Sequence, residues 1–136
     1  MCERRLEPRP QSILVVDDYP DLRTMWRLWL NMWGFEVREA ANGHIATESA
    51  FDQRPRVVLM DLSMPVMDGL SAVLRLRSDP RTWDVTVIGV TAHGRTHPAF
   101  VEFEAVCDLL LEKPVEPEVL LTQLRSVLRR SPRRPT

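Results

Sequence analysis

The chain reads as an α/β domain: a five-stranded parallel sheet with helices on both faces, in the order βαβαβαβαβα. Two observations predict this. First, Ile13-Leu-Val-Val, Val57-Val-Leu-Met, Val87-Ile-Gly-Val and Leu109-Leu-Leu are short apolar runs, each stopping at polar residues. Runs of that composition mark parallel strands buried on both faces. Second, the segments between them carry helix-opening and helix-closing residues rather than tight hairpin turns.

The elements follow in order. Residues 1–11 are charged and proline-rich and are expected to form a flexible leader. Strand one covers about 12–17. Pro20 and Asp21 open a helix running to about Trp33, with Gly34 placed to end it. Residues 35–40 alternate and suit a second strand. Asn42-Gly43 turns the chain into a helix over about 43–53, which Arg54-Pro55 closes. Strand three spans about 56–61, and a loop at 62–67 leads to a helix over about 68–77. Ser78-Asp79-Pro80 breaks the chain before strand four at about 85–90. The stretch 92–97 holds Gly94 with His93 and His97, and Pro98 can start a short helix. Strand five is expected at about 107–112. The last helix, about 116–130, sets Leu120, Leu121, Leu124, Val127 and Leu128 on one stripe. Residues 131–136 form a basic tail.

Helix one is wider in its apolar face than a sheet contact requires. Leu22, Met25, Trp26, Leu28, Trp29, Leu30, Met32 and Trp33 cover roughly 200° of its circumference, against the ~100° stripe that burial needs. Two readings stay open: a broad aromatic core contact, or one or two tryptophans left exposed as a docking patch.

Composition narrows the function classes. At 136 residues the chain is one domain, and a net charge of -1 gives no global attraction to nucleic acid or membrane. Arg129, Arg130, Arg133 and Arg134 crowd the end, read as a solvated helix end and tail, with docking to an acidic partner the alternative. Cys2 and Cys107 are too few for a disulfide framework and suit a reducing compartment. The sequence has no signal peptide and no run near the ~18 apolar residues that span a bilayer, so the expected location is cytoplasmic.

In open α/β sheets, ligands bind at the carboxyl ends of the strands. That edge gathers Asp17, Asp18 and Asp61 with the Thr91 hydroxyl and the Lys113 ammonium. Two carboxylates 4 Å apart repel by roughly 4 kcal/mol at an effective dielectric near 20. At least one should therefore have a raised pKa, unless a hard cation such as Mg²⁺ relieves the cluster. Lys113 can act as a flexible point charge toward phosphate, and Thr91 as a hydroxyl donor. A carboxylate so flanked is set up as a nucleophile toward phosphorus.

Ile13-Leu-Val-Val-Asp-Asp18, Leu59-Met-Asp61-Leu-Ser-Met-Pro65-Val-Met-Asp68-Gly69, Val90-Thr91-Ala92 and Lys113-Pro114 resemble the receiver domain of two-component response regulators. The likeness covers about 12–130, and the intervals Asp61–Thr91 and Thr91–Lys113, 30 and 22 residues, suit it. The resemblance implies a flavodoxin-like, doubly wound sheet of strand order 2-1-3-4-5. It implies Asp61 as phospho-acceptor, with Asp18, Asp61 and the Ser63 carbonyl holding Mg²⁺ and Asp17 assisting through water. Thr91 and Lys113 would contact the phosphoryl oxygens, the Lys113–Pro114 peptide would be cis, and Met64-Pro65 and Asp68-Gly69 would shape the loop beside the acceptor. Ser63 and His93 occupy positions that, in the family the sequence resembles, tune how fast the aspartyl phosphate hydrolyses. Two residues depart from the pattern. Leu110 stands where receivers usually carry a Tyr or Phe, and Val106 where many have a helix-ending glycine, so helix four should end differently.

The expected function is a stand-alone phospho-receiver, not an enzyme, that takes its phosphoryl group from a histidine kinase or a histidine phosphotransfer protein. Output would pass to another protein, with no nucleic acid or membrane partner and a monomeric or weakly dimeric state. The alternative is an adapter that docks through helix one without phosphorylation. A Mg²⁺-dependent phosphohydrolase would need an acid where Ser63 stands, and DNA binding through the arginine tail would need a recognition helix.

Overall fold

A computed structural model describes residues 12–130; the expected leader at 1–11, with Cys2, and the tail at 131–136, with Arg133 and Arg134, lie outside the described residues. The elements are β1 (Ser12–Val16), α1 (Pro20–Met32), β2 (Glu36–Ala40), α2 (Gly43–Gln53), β3 (Val57–Asp61), α3 (Gly69–Arg77), β4 (Thr86–Thr91), a 3₁₀ turn (Gly94–Thr96), α4 (Phe100–Val106), β5 (Leu109–Glu112) and α5 (Pro117–Leu128). All strands are parallel in the order β2-β1-β3-β4-β5. This is the flavodoxin-like α/β arrangement.

The apolar runs become central strands because both their faces are covered. On one face Leu14, Val58 and Met60 pack under Ala46, Ala72, Val73 and Phe103 from α2, α3 and α4. On the other, Ile13, Leu59 and Ile88 pack under Trp26 and Leu30 of α1 and Leu120 and Leu124 of α5. Local capping fixes the helix starts. Pro20 opens α1, the Asn42 side chain accepts from the Ile45 amide, and the Asp68 carboxylate accepts from the Ser71 amide at 2.8 Å. The chain leaves α1 through Gly34 at φ 95° and α2 through Arg54 at φ 51°.

Several boundaries move. β5 begins at Leu109, not residue 107; Cys107 instead caps α4 with extended backbone and is buried. α4 starts at Phe100, two residues past Pro98, and a 3₁₀ turn fills part of the preceding stretch. The end of α4, where Val106 replaces a glycine, is closed from outside the helix. Arg77 donates to the Val106 carbonyl through both Nε and Nη2, at 3.3 and 3.2 Å. The same guanidinium reaches the Trp83 and Val85 carbonyls and the Asp108 carboxylate, and Asp108 accepts from the Val87 amide at 2.8 Å. One arginine therefore ties α3, α4, β4 and the start of β5 together. Leu110, in the aromatic's place, is half-buried on β5. Gly89 opposite it has no room for a Cβ, which would lie 2.6 Å from Phe103 and 2.9 Å from Leu110.

Neither reading of helix one holds unchanged. Trp26 is buried and Trp29 and Trp33 are half-buried, their rings 5.7 Å apart, so no tryptophan of α1 stands free. Leu28 and Met32 are the most exposed apolar residues of α1, at 57% and 68%, with Met25 also exposed. Among the described residues, no helix is long and apolar enough to cross a membrane.

Candidate functional site

The site forms where β1, β3, β4 and β5 end on the same edge. Asp17 directly follows β1; its amide continues the sheet by donating to the Ala40 carbonyl at 3.1 Å. Two contacts hold the bend after it. The Tyr19 amide donates to Asp17 Oδ1 at 2.9 Å, and Arg23 donates to the Asp17 carbonyl at 2.7 Å. That bend turns Asp18 outward into solvent while keeping it beside the cleft. Asp61 is the last residue of β3 and is buried. One ligand oxygen from each of Asp17, Asp18 and Asp61 lies within 4.8 Å of the others.

Lys113 approaches from the end of β5. Its Nζ is 2.9 Å from Asp17 Oδ2 and 3.5 Å from Asp61 Oδ1. The Lys113 amide donates to the Thr91 carbonyl at 2.8 Å, which fixes the two strand ends to each other. Thr91 is buried, and its hydroxyl oxygen accepts from the His93 amide at 3.2 Å. The Lys113–Pro114 peptide is cis.

These charges set the acidities. Burial raises the Asp61 carboxyl most; Lys113 pulls it back and the Asp17 and Asp18 charges push it up again, leaving it at about 6. Burial on its own would lower the Lys113 ammonium, but the Asp17 hydrogen bond and the charges of Asp61 and Asp17 outweigh it and raise its pKa. Three acids meeting around one ammonium is thus the observed balance, and the strain expected of the cluster falls on Asp61.

The loop after β3 is built by close approach. The Leu62 amide donates to the Val90 carbonyl, and the Gly69 amide returns to the Leu62 carbonyl at 2.7 Å. A Cβ on Gly69 would sit 2.2 Å from the Asp61 carbonyl oxygen, so only glycine fits there. Ser63 lies exposed in this loop, two residues past Asp61. Between Pro65 and Met67, which share an amide–carbonyl bond of 2.7 Å, Val66 adopts φ 69° and is 83% exposed. A β-branched residue in that conformation is strained. Nothing in the sequence marks it.

The family described as the response regulator receiver domain matches residues 13–125. The chain belongs to that family. This receiver is 32% identical to a response regulator of Chloroflexus aurantiacus, covering 90% of this chain and 100% of that one with a TM-score of 0.81. It is 30% identical to the receiver domain of a sensor histidine kinase from Pseudomonas aeruginosa, covering 88% and 98% with a TM-score of 0.81; that structure has a magnesium ion coordinated in its active-site cleft. Among sequences, it is 34% identical over 90% of its length to RpaA of Synechocystis, a DNA-binding transcriptional regulator. The chain spans about half the length of that relative, 51%.

Proposed function

We propose that this receiver accepts a phosphoryl group on Asp61 from a histidine kinase or a histidine phosphotransfer protein, in a magnesium-dependent reaction, and signals by altered protein–protein contacts. One observation carries the reading: Asp61 lies within ion-sharing distance of Asp17 and Asp18 and 3.5 Å from the Lys113 ammonium. The donors are hard oxygens, few enough to leave places for water, which fits Mg²⁺ rather than a Zn²⁺ site. Asp18, Asp61 and the Ser63 carbonyl would hold the ion, with Asp17 beside them. Bound there, magnesium supplies positive charge opposite the transferring phosphoryl oxygens.

The remaining work falls to the chain. Above about pH 6 Asp61 is ionised and its oxygen can attack phosphorus. As that O–P bond forms, the P–N bond of the donor's phosphohistidine breaks and the imidazole takes up a proton. Lys113 neutralises charge gained on the phosphoryl group, and the Thr91 hydroxyl donates to one of its oxygens. Phosphorylation adds roughly -1.5 to -2 charge, drawing Lys113 from Asp17 toward the new phosphate. Because the Lys113 amide is bonded to the Thr91 carbonyl, both strand ends feel that movement. Donors of this kind make the cytoplasm the expected setting.

The test is labelling by acetyl phosphate with and without Mg²⁺. The native chain should incorporate one phosphoryl group, only with the ion present, and Asp61→Asn should incorporate none. A native chain that stays unlabelled overturns the reading.

A further inference from the structure

The acidic cluster opens into a cavity of about 370 Å³, whose apolar part the phosphoryl chemistry proposed above leaves unused. Asp17, Asp61 and Lys113 form its polar end. Its remaining walls are apolar: Met25 and Trp26 from α1, Leu59 and Val90 from the sheet, and Val115 and Leu120 around the start of α5. Clefts of this size, mostly apolar with a few converging charges, hold small organic molecules.

Charge selects the occupant. The polar end sets Asp17 and Asp61, with Asp18 close by, against the Lys113 ammonium and the Arg23 guanidinium that holds the Asp17 carbonyl. The carboxylates outnumber the cations, so an anionic head is repelled and a cationic one attracted. Lys113 already bonds Asp17 at 2.9 Å, which leaves Asp61, at 3.5 Å, the less satisfied carboxylate facing the hollow.

We infer that this cavity binds a small organic cation, an ammonium group carried on an aromatic or branched aliphatic body, with its charge on Asp61 and Asp17 and its body between Trp26 and Leu120. Such a ligand and a divalent cation need the same carboxylates, so each excludes the other; this clause and the consequence drawn from it rest on the metal site and phosphoryl acceptance proposed above. The result is a receiver whose readiness for phosphorylation falls as the amine rises.

The probes are 2-phenylethylamine, phenylacetate and ethylamine, titrated into the ¹⁵N-labelled native chain without magnesium. The expected result is saturable shifts at the amides of Met25, Trp26 and Val115 with 2-phenylethylamine, and binding at least tenfold weaker for the acid and for the short amine. Val115→Phe, which narrows the hollow, should weaken the amine at least tenfold while acetyl phosphate labelling stays at the native level. Added Mg²⁺ should raise the apparent Kd of the amine in proportion to its concentration. No saturation, equal binding of acid and amine, or an unchanged Kd in Val115→Phe overturns the site. Amine binding retained in a chain that acetyl phosphate does not label strikes the phosphoryl reading and supports the cavity.

Discussion

Asp61 is a buried carboxyl, and the nucleophilic role proposed for it requires the ionised form that burial disfavours. Its carboxyl pKa rises from 3.8 to about 6, so the folded chain binds that proton more tightly than the unfolded chain. The favourable contribution is complete below about pH 4 and is lost as pH rises through about 6. Above that, the fold carries the cost of a buried carboxylate. Asp61→Asn should therefore stabilise the magnesium-free protein at pH 8 by on the order of 2 kcal/mol, allowing for solvent at the cleft mouth, and by little at pH 4.5. Urea titrations at the two pH values check the difference. Val66 stores a separate strain at φ 69°. Val66→Gly should raise stability by about 1 kcal/mol, the relief of the left-handed valine less the entropy that glycine adds to the unfolded chain. A lower urea midpoint would show that the exposed valine packs against something useful. Asp17, Asp61, Thr91 and Lys113 were legible because each ends or follows an apolar run. Val66 was not, since its backbone is bent by the return of Gly69 to Leu62 and by no preference of its own.

At the scale of elements, Arg77 replaces what a glycine would have done at Val106. Its guanidinium gives the Val106, Trp83 and Val85 carbonyls their donors and neutralises Asp108, whose carboxylate also holds the Val87 amide. Arg77→Ala leaves several partly buried acceptors and one carboxylate without that partner. It should cost about 2–4 kcal/mol in urea unfolding, with hydrogen exchange accelerating first in α4 and at the start of β5. Arg77→Lys should recover only part of this, because an ammonium cannot fork across three carbonyls and a carboxylate. The number, type and order of elements could be read from strand runs and capping residues. The end of α4 could not, because its cap lies 29 residues upstream. The same holds for β5, where Asp108 is held by Arg77 and Val87 before pairing begins at Leu109. Helix one shows a further limit: a wide apolar arc states how much can be buried, and only the neighbouring α5 and sheet decide that Trp26 goes in while Leu28 and Met32 stay out.

Across the whole molecule, the sheet brings Lys113 and Asp17, 96 residues apart, into one ion pair, so folding and the proposed magnesium binding draw on the same carboxylates. A ligand that binds only the folded chain stabilises it by RT ln(1 + [L]/Kd), about 2.7 kcal/mol at a hundredfold excess over Kd. Magnesium should therefore raise the unfolding midpoint steadily with its logarithm, and tryptophan fluorescence and far-ultraviolet circular dichroism should report one coincident transition. Protons compete for the same oxygens. Below about pH 6 Asp61 is protonated in the folded chain, so the ion must displace a proton to bind, and its apparent affinity falls. The magnesium-induced rise should thus be large at pH 8, shrink through pH 6 and nearly vanish at pH 4.5, and Asp61→Asn should flatten that dependence. Thermal unfolding at fixed magnesium across this range checks it. A rise equal at pH 8 and pH 4.5 would place the ion away from Asp61, and would remove the support that the acidic cluster gives to the phosphoryl reading proposed for it.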